Sequence, residues 1–164
     1  MATSDAPPRL DASAEERFSN AAPKRFEAAT PEDWKVVPAT EFRLLNYRLG
    51  PSGETECWVS SSTGSVLENA NRWLRQFGAP PMDEEALGKL PTVPILGTTG
   101  VVVKAKGDYN DRMGGQPKPD QGLAGIIAEV GGEIITVKMV GNASEVYFNE
   151  RELEKLAASL RKID

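Results

Sequence analysis

The spacing of apolar positions changes several times along this chain, and each change marks an element. Over residues 34–37, 42–49 and 55–60 the runs are β-like, and Gly50-Pro51-Ser52-Gly53 predicts a hairpin turn between the last two. From Val66 the period becomes 3.6. Val66, Ala70, Trp73 and Phe77 then share one helical face, with Leu67 and Leu74 beside them. Ser65 and Glu68 stand three apart, as a capping box requires: the serine oxygen meets one free helix-start N–H and the glutamate returns to another. Gly78 supplies a stop and Pro80-Pro81 bar continuation. A shorter helix is expected over 83–90, with Asp83, Glu84 and Glu85 at the positive end of its dipole. Residues 91–100 read as loop, 101–106 as strand, and 107–121 as a long loop bearing glycines and prolines. Strands over 123–130 and 133–140 flank Gly131-Gly132, a strong two-residue hairpin signal. A final helix is expected over 143–163, with Asn142 and Glu145 at its start and Val146, Leu153, Leu156, Leu160 and Ile163 as its buried stripe.

Residues 1–30 show no apolar period and carry Pro7, Pro8 and Pro23 among many alanines. They are expected to form a flexible leader or tether, followed by one domain over 31–164. Trp34 and Trp73 are assigned to that domain's core. Strands come in hairpin-linked groups interrupted by helices, without regular β–α alternation. The expected fold class is therefore α+β, an antiparallel sheet flanked by helices.

Composition narrows the chemistry. The 164 residues carry a net charge of −5, and the 19 basic residues form no run, which argues against a nucleic-acid partner. The chain has no histidine, the usual general base near neutral pH and the commonest transition-metal ligand. Cys57 is the single cysteine, so neither an intrachain disulfide nor a thiolate cluster can form. No apolar stretch is long enough to span a membrane. No catalytic residue, metal site or cofactor is assigned.

Two candidate binding features stand out. The first is the polar face of the central helix, where Asn69, Asn71, Arg72 and Gln76 surround Trp73; its bland reading is an Arg72–Glu68 pair and loop-capping asparagines. The second is the loop carrying Tyr109, Met113, Gly114 and Gly115, with the two large side chains as apolar anchors of a binding lip. The bland reading of this loop is backbone geometry alone.

The stretch Asn69-Ala70-Asn71-Arg72-Trp73-Leu74-Arg75-Gln76-Phe77-Gly78-Ala79-Pro80-Pro81 resembles the N-x-N-R-W-x-x-Q-x-G-x-P-P motif of uncharacterised planctomycete- and verrucomicrobia-type bacterial proteins, many of them predicted lipoproteins. Pro31 through Trp34, Gly107-Asp108-Tyr109, Met113-Gly114-Gly115 and Val137-Lys138-Met139-Val140-Gly141 extend the resemblance. It implies a PsbP-like α/β/α sandwich whose known members are non-catalytic partners of larger assemblies. The expected function is thus a non-enzymatic binding or assembly module, tethered in the cell envelope on the periplasmic side, with a lipid anchor in the native precursor and a protein partner of unknown identity. One alternative is a hydrolase or small-ligand-binding enzyme with a Ser/Lys or carboxylate site. Another is a cytoplasmic structural subunit.

Overall fold

The computed structural model describes residues 25–111 and 115–163. Its elements are β1 (Phe26–Glu27), β2 (Lys35–Val36), β3 (Leu45–Leu49), β4 (Thr55–Ser62), α1 (Val66–Gln76), α2 (Glu84–Leu87), β5 (Thr92–Ile95), β6 (Thr98–Tyr109), β7 (Lys118–Val130), β8 (Glu133–Asn142), α3 (Ala143–Phe148), α4 (Glu150–Ser159) and β9 (Arg161–Lys162). Seven strands form one antiparallel sheet in the order β2-β3-β4-β8-β7-β6-β5, and β1 pairs with β9 in a small second sheet. The chain is of the α+β class.

Topology follows from the turns. After β4 the chain crosses one sheet face as α1, reaches the far edge as β5, and returns by β6, β7 and β8 until β8 meets β4. The Gly131-Gly132 turn closes β7 on β8 with φ of 59° and 83°, angles glycine adopts without strain. Helix α1 starts at the capping box read above: the Ser65 hydroxyl accepts from the Glu68 N–H, and the Glu68 carboxylate accepts from the Ser65 N–H. Its apolar stripe lays Ala70, Trp73, Leu74 and Phe77 on Val103, Leu123, Ile127, Ile134 and Val140. The opposite face packs Ala124, Ile126, Ile135, Val137 and Met139 against Val146, Leu153 and Leu156 of α3 and α4. Helices therefore cover both faces. Among the described residues no helix is long and apolar enough to cross a membrane.

Several expectations are corrected. The folded body begins by Arg25 rather than residue 31: Phe26 is fully buried, and Arg25 makes two hydrogen bonds to Glu133. Residues 1–24 of the expected leader lie outside the described residues. The 91–100 loop contains β5, an edge strand where Pro94 costs no central ladder bond. Much of the 107–121 loop is strand, since β6 runs on to Tyr109 and β7 starts at Lys118. The last helix is two helices broken at Asn149, followed by β9, and Ile163 is 39 % exposed rather than part of the buried stripe. Glu145 does not cap α3. Its carboxylate accepts from Ser52 and Thr55 in the β3–β4 hairpin.

Candidate functional site

The α1 face of the sheet carries a lysine where the surrounding pattern calls for an apolar residue. In β8, Ile134 through Gly141 are all buried, Lys138 among them at 5 % exposure. Register sets its neighbours: Trp58 of β4 on one side and Gly125 of β7 on the other. Gly125 has no side chain because Trp73 of α1 descends onto it; a Cβ there would come within 2.8 Å of the indole Cη2. Trp73 is thus 2 % exposed and a core residue.

The Lys138 amine donates to Gln76 Oε1 at 2.5 Å. Three rings surround it, with centroids 5.4 Å (Trp73), 5.6 Å (Trp58) and 5.7 Å (Tyr109) from Nζ. Ring faces attract an ammonium, but weakly compared with a carboxylate. Among the described residues Lys138 has no ion-pair partner. Burial therefore lowers its pKa to about 7, and the nearby guanidiniums of Arg72 and Arg43 act in the same direction, against an opposing pull from Asp111.

Beside this buried amine lies an open hollow of about 360 Å³, whose walls include Arg43, Glu56, Trp58, Tyr109, Asp111 and Gln121. The Arg43 guanidinium lies 3.8 Å over the Trp58 ring and pairs with Glu56. Tyr109 ends β6 and packs on Phe77 with centroids 5.0 Å apart. Burial and the neighbouring Asp111 push its hydroxyl up to about 12, so it stays a neutral phenol at physiological pH. The turn beyond it is anchored to the end of α1, where the Asn110 N–H donates to the Gln76 carbonyl at 2.8 Å. The Asn110 side chain also donates to the Gly115 carbonyl at 3.1 Å.

Both sequence-predicted features contribute to this region. From the helix face, Gln76 holds the amine and Arg72 lies near enough to depress its pKa. From the loop, Tyr109 and Gly115 line the hollow. Met113 and Gly114 lie outside the described residues. Asn69 and Asn71 are structural. Asn69 is fully buried, donates to the Thr63 and Ser65 carbonyls, and accepts from Ser62 and Arg72. Asn71 pairs with both backbone groups of Met82. The expected Arg72–Glu68 pair does not form, because Glu68 is engaged at the cap and Arg72 donates to Asn69. Trp34 is 7 % exposed, lies edge-on to Tyr47, and donates its indole N–H to Asn149.

Lys138, Trp58 and Arg43 were not singled out from the sequence. The available signal was a lone lysine inside the apolar run 134–140. Among the described residues no cluster of three or more acidic or thiol groups could hold a metal ion. Cys57 is fully buried in apolar surroundings that push its thiol pKa up, which leaves it inert.

No protein-family model and no curated protein matches the chain. Among solved structures, a crystal structure of a protein from Bacteroides thetaiotaomicron is similar, with 15 % identity and a TM-score of 0.45. The match covers 85 % of this chain and 45 % of that one, so the chain spans less than half of that protein's length.

Proposed function

We propose that the chain is a non-enzymatic binding or assembly module, tethered in the cell envelope, that receives an acidic group of a protein partner at the Lys138 recess. The observation that carries this reading is a buried amine whose polar partner is one amide oxygen. A buried cation without a carboxylate costs several kcal/mol in desolvation, and an incoming anion offsets part of that cost. The Gln76 amide is the group such an acid displaces. The adjoining hollow sets Trp58, Tyr109 and Arg43, residue types enriched in interfaces, beside the carboxylates of Glu54, Glu56 and Asp111.

The test is a titration of isotopically labelled protein with a glutamate-rich peptide, followed at the Trp58 indole N–H. Binding should tighten as pH falls from 8 to 6, because an anion favours the protonated amine. Lys138→Met should weaken it at least tenfold. A titration that is flat in pH and unchanged in Lys138→Met overturns the assignment. The envelope tether is supported by the proline- and alanine-rich leader, and mass spectrometry of the native protein's N terminus tests it. An unmodified cytoplasmic protein overturns that part.

A second reading is favoured by the same amine. With a pKa near 7, Lys138 has the nucleophilicity that carbonyl chemistry needs. Among the described residues no serine hydrogen-bonds to it, so a Ser/Lys hydrolase has no support in the geometry. Borohydride trapping with glyoxylate separates the readings. A mass adduct on Lys138 supports the enzyme, and unmodified protein supports the binding module.

A further inference from the structure

On the other face of the molecule, α3 ends in two large side chains with nothing over them. Tyr147 is 77 % exposed and Phe148 is 85 % exposed, while Val146 beside them is buried. The placement follows from helix geometry. Val146 and the α4 stripe of Leu153 and Leu156 face the sheet, so the residues just after Val146 must turn outward. Isolated exposed apolar residues are ordinary, but here two aromatics are adjacent and line one groove of about 750 Å³. Trp34 also lines the groove and is held there by its hydrogen bond to Asn149. Because the groove is pinned to the core, a ligand would meet a preformed surface.

The rim selects the occupant. Glu32, Asp33, Glu150, Glu152 and Glu154 line the groove against the single base Arg151. Lys104 neutralises Glu150 and Lys155 lies 3.5 Å from Glu152. Among the described residues Glu32, Asp33 and Glu154 have no ion-pair partner. An anionic membrane surface would be repelled by such a rim, whereas a cationic peptide would be attracted and oriented by it.

We infer that the Tyr147–Phe148 groove is a docking surface for a basic segment of a partner protein, with apolar side chains on the two aromatics and Lys or Arg side chains on the acidic rim. This surface is separate from the Lys138 recess. The two lie on opposite faces of the sheet, so one copy of the chain could engage two partners.

The probe is a fluorescein-labelled peptide of alternating lysine and leucine, with an all-lysine peptide of equal charge as control. Both are titrated by fluorescence anisotropy into the full chain. The alternating peptide should bind at least tenfold more tightly than the control and weaken as salt rises from 50 to about 300 mM. The double variant Tyr147→Ser, Phe148→Ser keeps the net charge and should lose at least tenfold in affinity. Its thermal melt should match wild type, since neither side chain is buried. Lys138→Met should bind the peptide as wild type does, which keeps this test independent of the proposed acidic-group site. Equal binding of the two peptides, or equal binding by wild type and the double variant, overturns the proposal by reducing it to bulk charge. Self-association in light scattering that the double variant abolishes also overturns it, because the occupant is then a second copy.

Discussion

Lys138 shows how one side chain can set local stability as well as binding chemistry. Its pKa falls from an ordinary 10.5 to about 7 on folding, so between those values the unfolded chain binds a proton that the folded chain does not. Stability therefore rises with pH across this window. The full penalty is present below pH 7 and is relieved as pH climbs toward 10. Methionine at this position keeps most of the apolar stem and removes the charge. Lys138→Met should raise stability at pH 6.5 by about 1–3 kcal/mol, as replacing a buried ion by an apolar residue often does. It should also flatten the dependence between pH 7 and 9. Urea denaturation at three pH values checks both. A destabilised variant with the wild-type slope would mean that the amine is well paired in the fold. Such a lysine is hard to recognise from sequence alone. In an alternating strand a lone lysine reads as the solvent side, and both sides of β8 are covered only because α1 crosses from a distant part of the chain.

At the scale of elements, a carboxylate of α3 ties that helix to the β3–β4 hairpin. Glu145 accepts from the Ser52 N–H at 3.1 Å, the Ser52 hydroxyl at 3.0 Å and the Thr55 hydroxyl at 2.5 Å. Burial alone would raise its pKa, but these hydrogen bonds outweigh burial and leave it lowered. The sign is opposite to that of Lys138. The stabilisation is present above the unfolded carboxylate pKa and is lost as pH falls through the folded one. Glu145→Gln should cost about 1–2 kcal/mol at pH 7, and the gap from wild type should close near pH 3. Parallel melts at the two pH values measure it. Elements of this molecule were legible where their signals are local. The Ser65–Glu68 box fixes the start of α1, and Gly131-Gly132 places the β7–β8 hairpin. They were illegible where distant partners decide. Strand β5 carries Pro94 and survives because it is an edge, while the break at Asn149 lies where Trp34 reaches across from more than a hundred residues away. Glu145 looked like a cap for the same reason, since nothing near it in sequence reveals the Ser52 hairpin.

Across the whole molecule, the N-terminal boundary of the folded body is the most consequential difference from the sequence reading. Residues 25–29 complete the α4 side of the fold. Phe26 is fully buried among residues of both helices and the sheet, β1 pairs with β9, and the Ala29 N–H donates to Ser159 at 2.9 Å. Arg25 is held by Glu133, whose carboxyl it keeps below the usual range, with Ser61 assisting. In sequence these residues continue a proline- and alanine-rich stretch, and Phe26 stands alone without a periodic partner, so local pattern assigns them to the leader. Two truncations test the boundary. A chain beginning at Lys24 keeps every contact described here and should melt within about 2 °C of full length. A chain beginning at Pro31 loses Phe26, the β1–β9 ladder and the Arg25–Glu133 pair together. Removing a fully buried phenylalanine alone costs about 3–5 kcal/mol, a large share of the 5–15 kcal/mol available to a domain. The shorter chain should therefore melt at least 10 °C lower, or aggregate on expression. If the two truncations melt together, β1 contributes little to the core and the boundary belongs at residue 31. The separation in melting temperature decides between these boundaries.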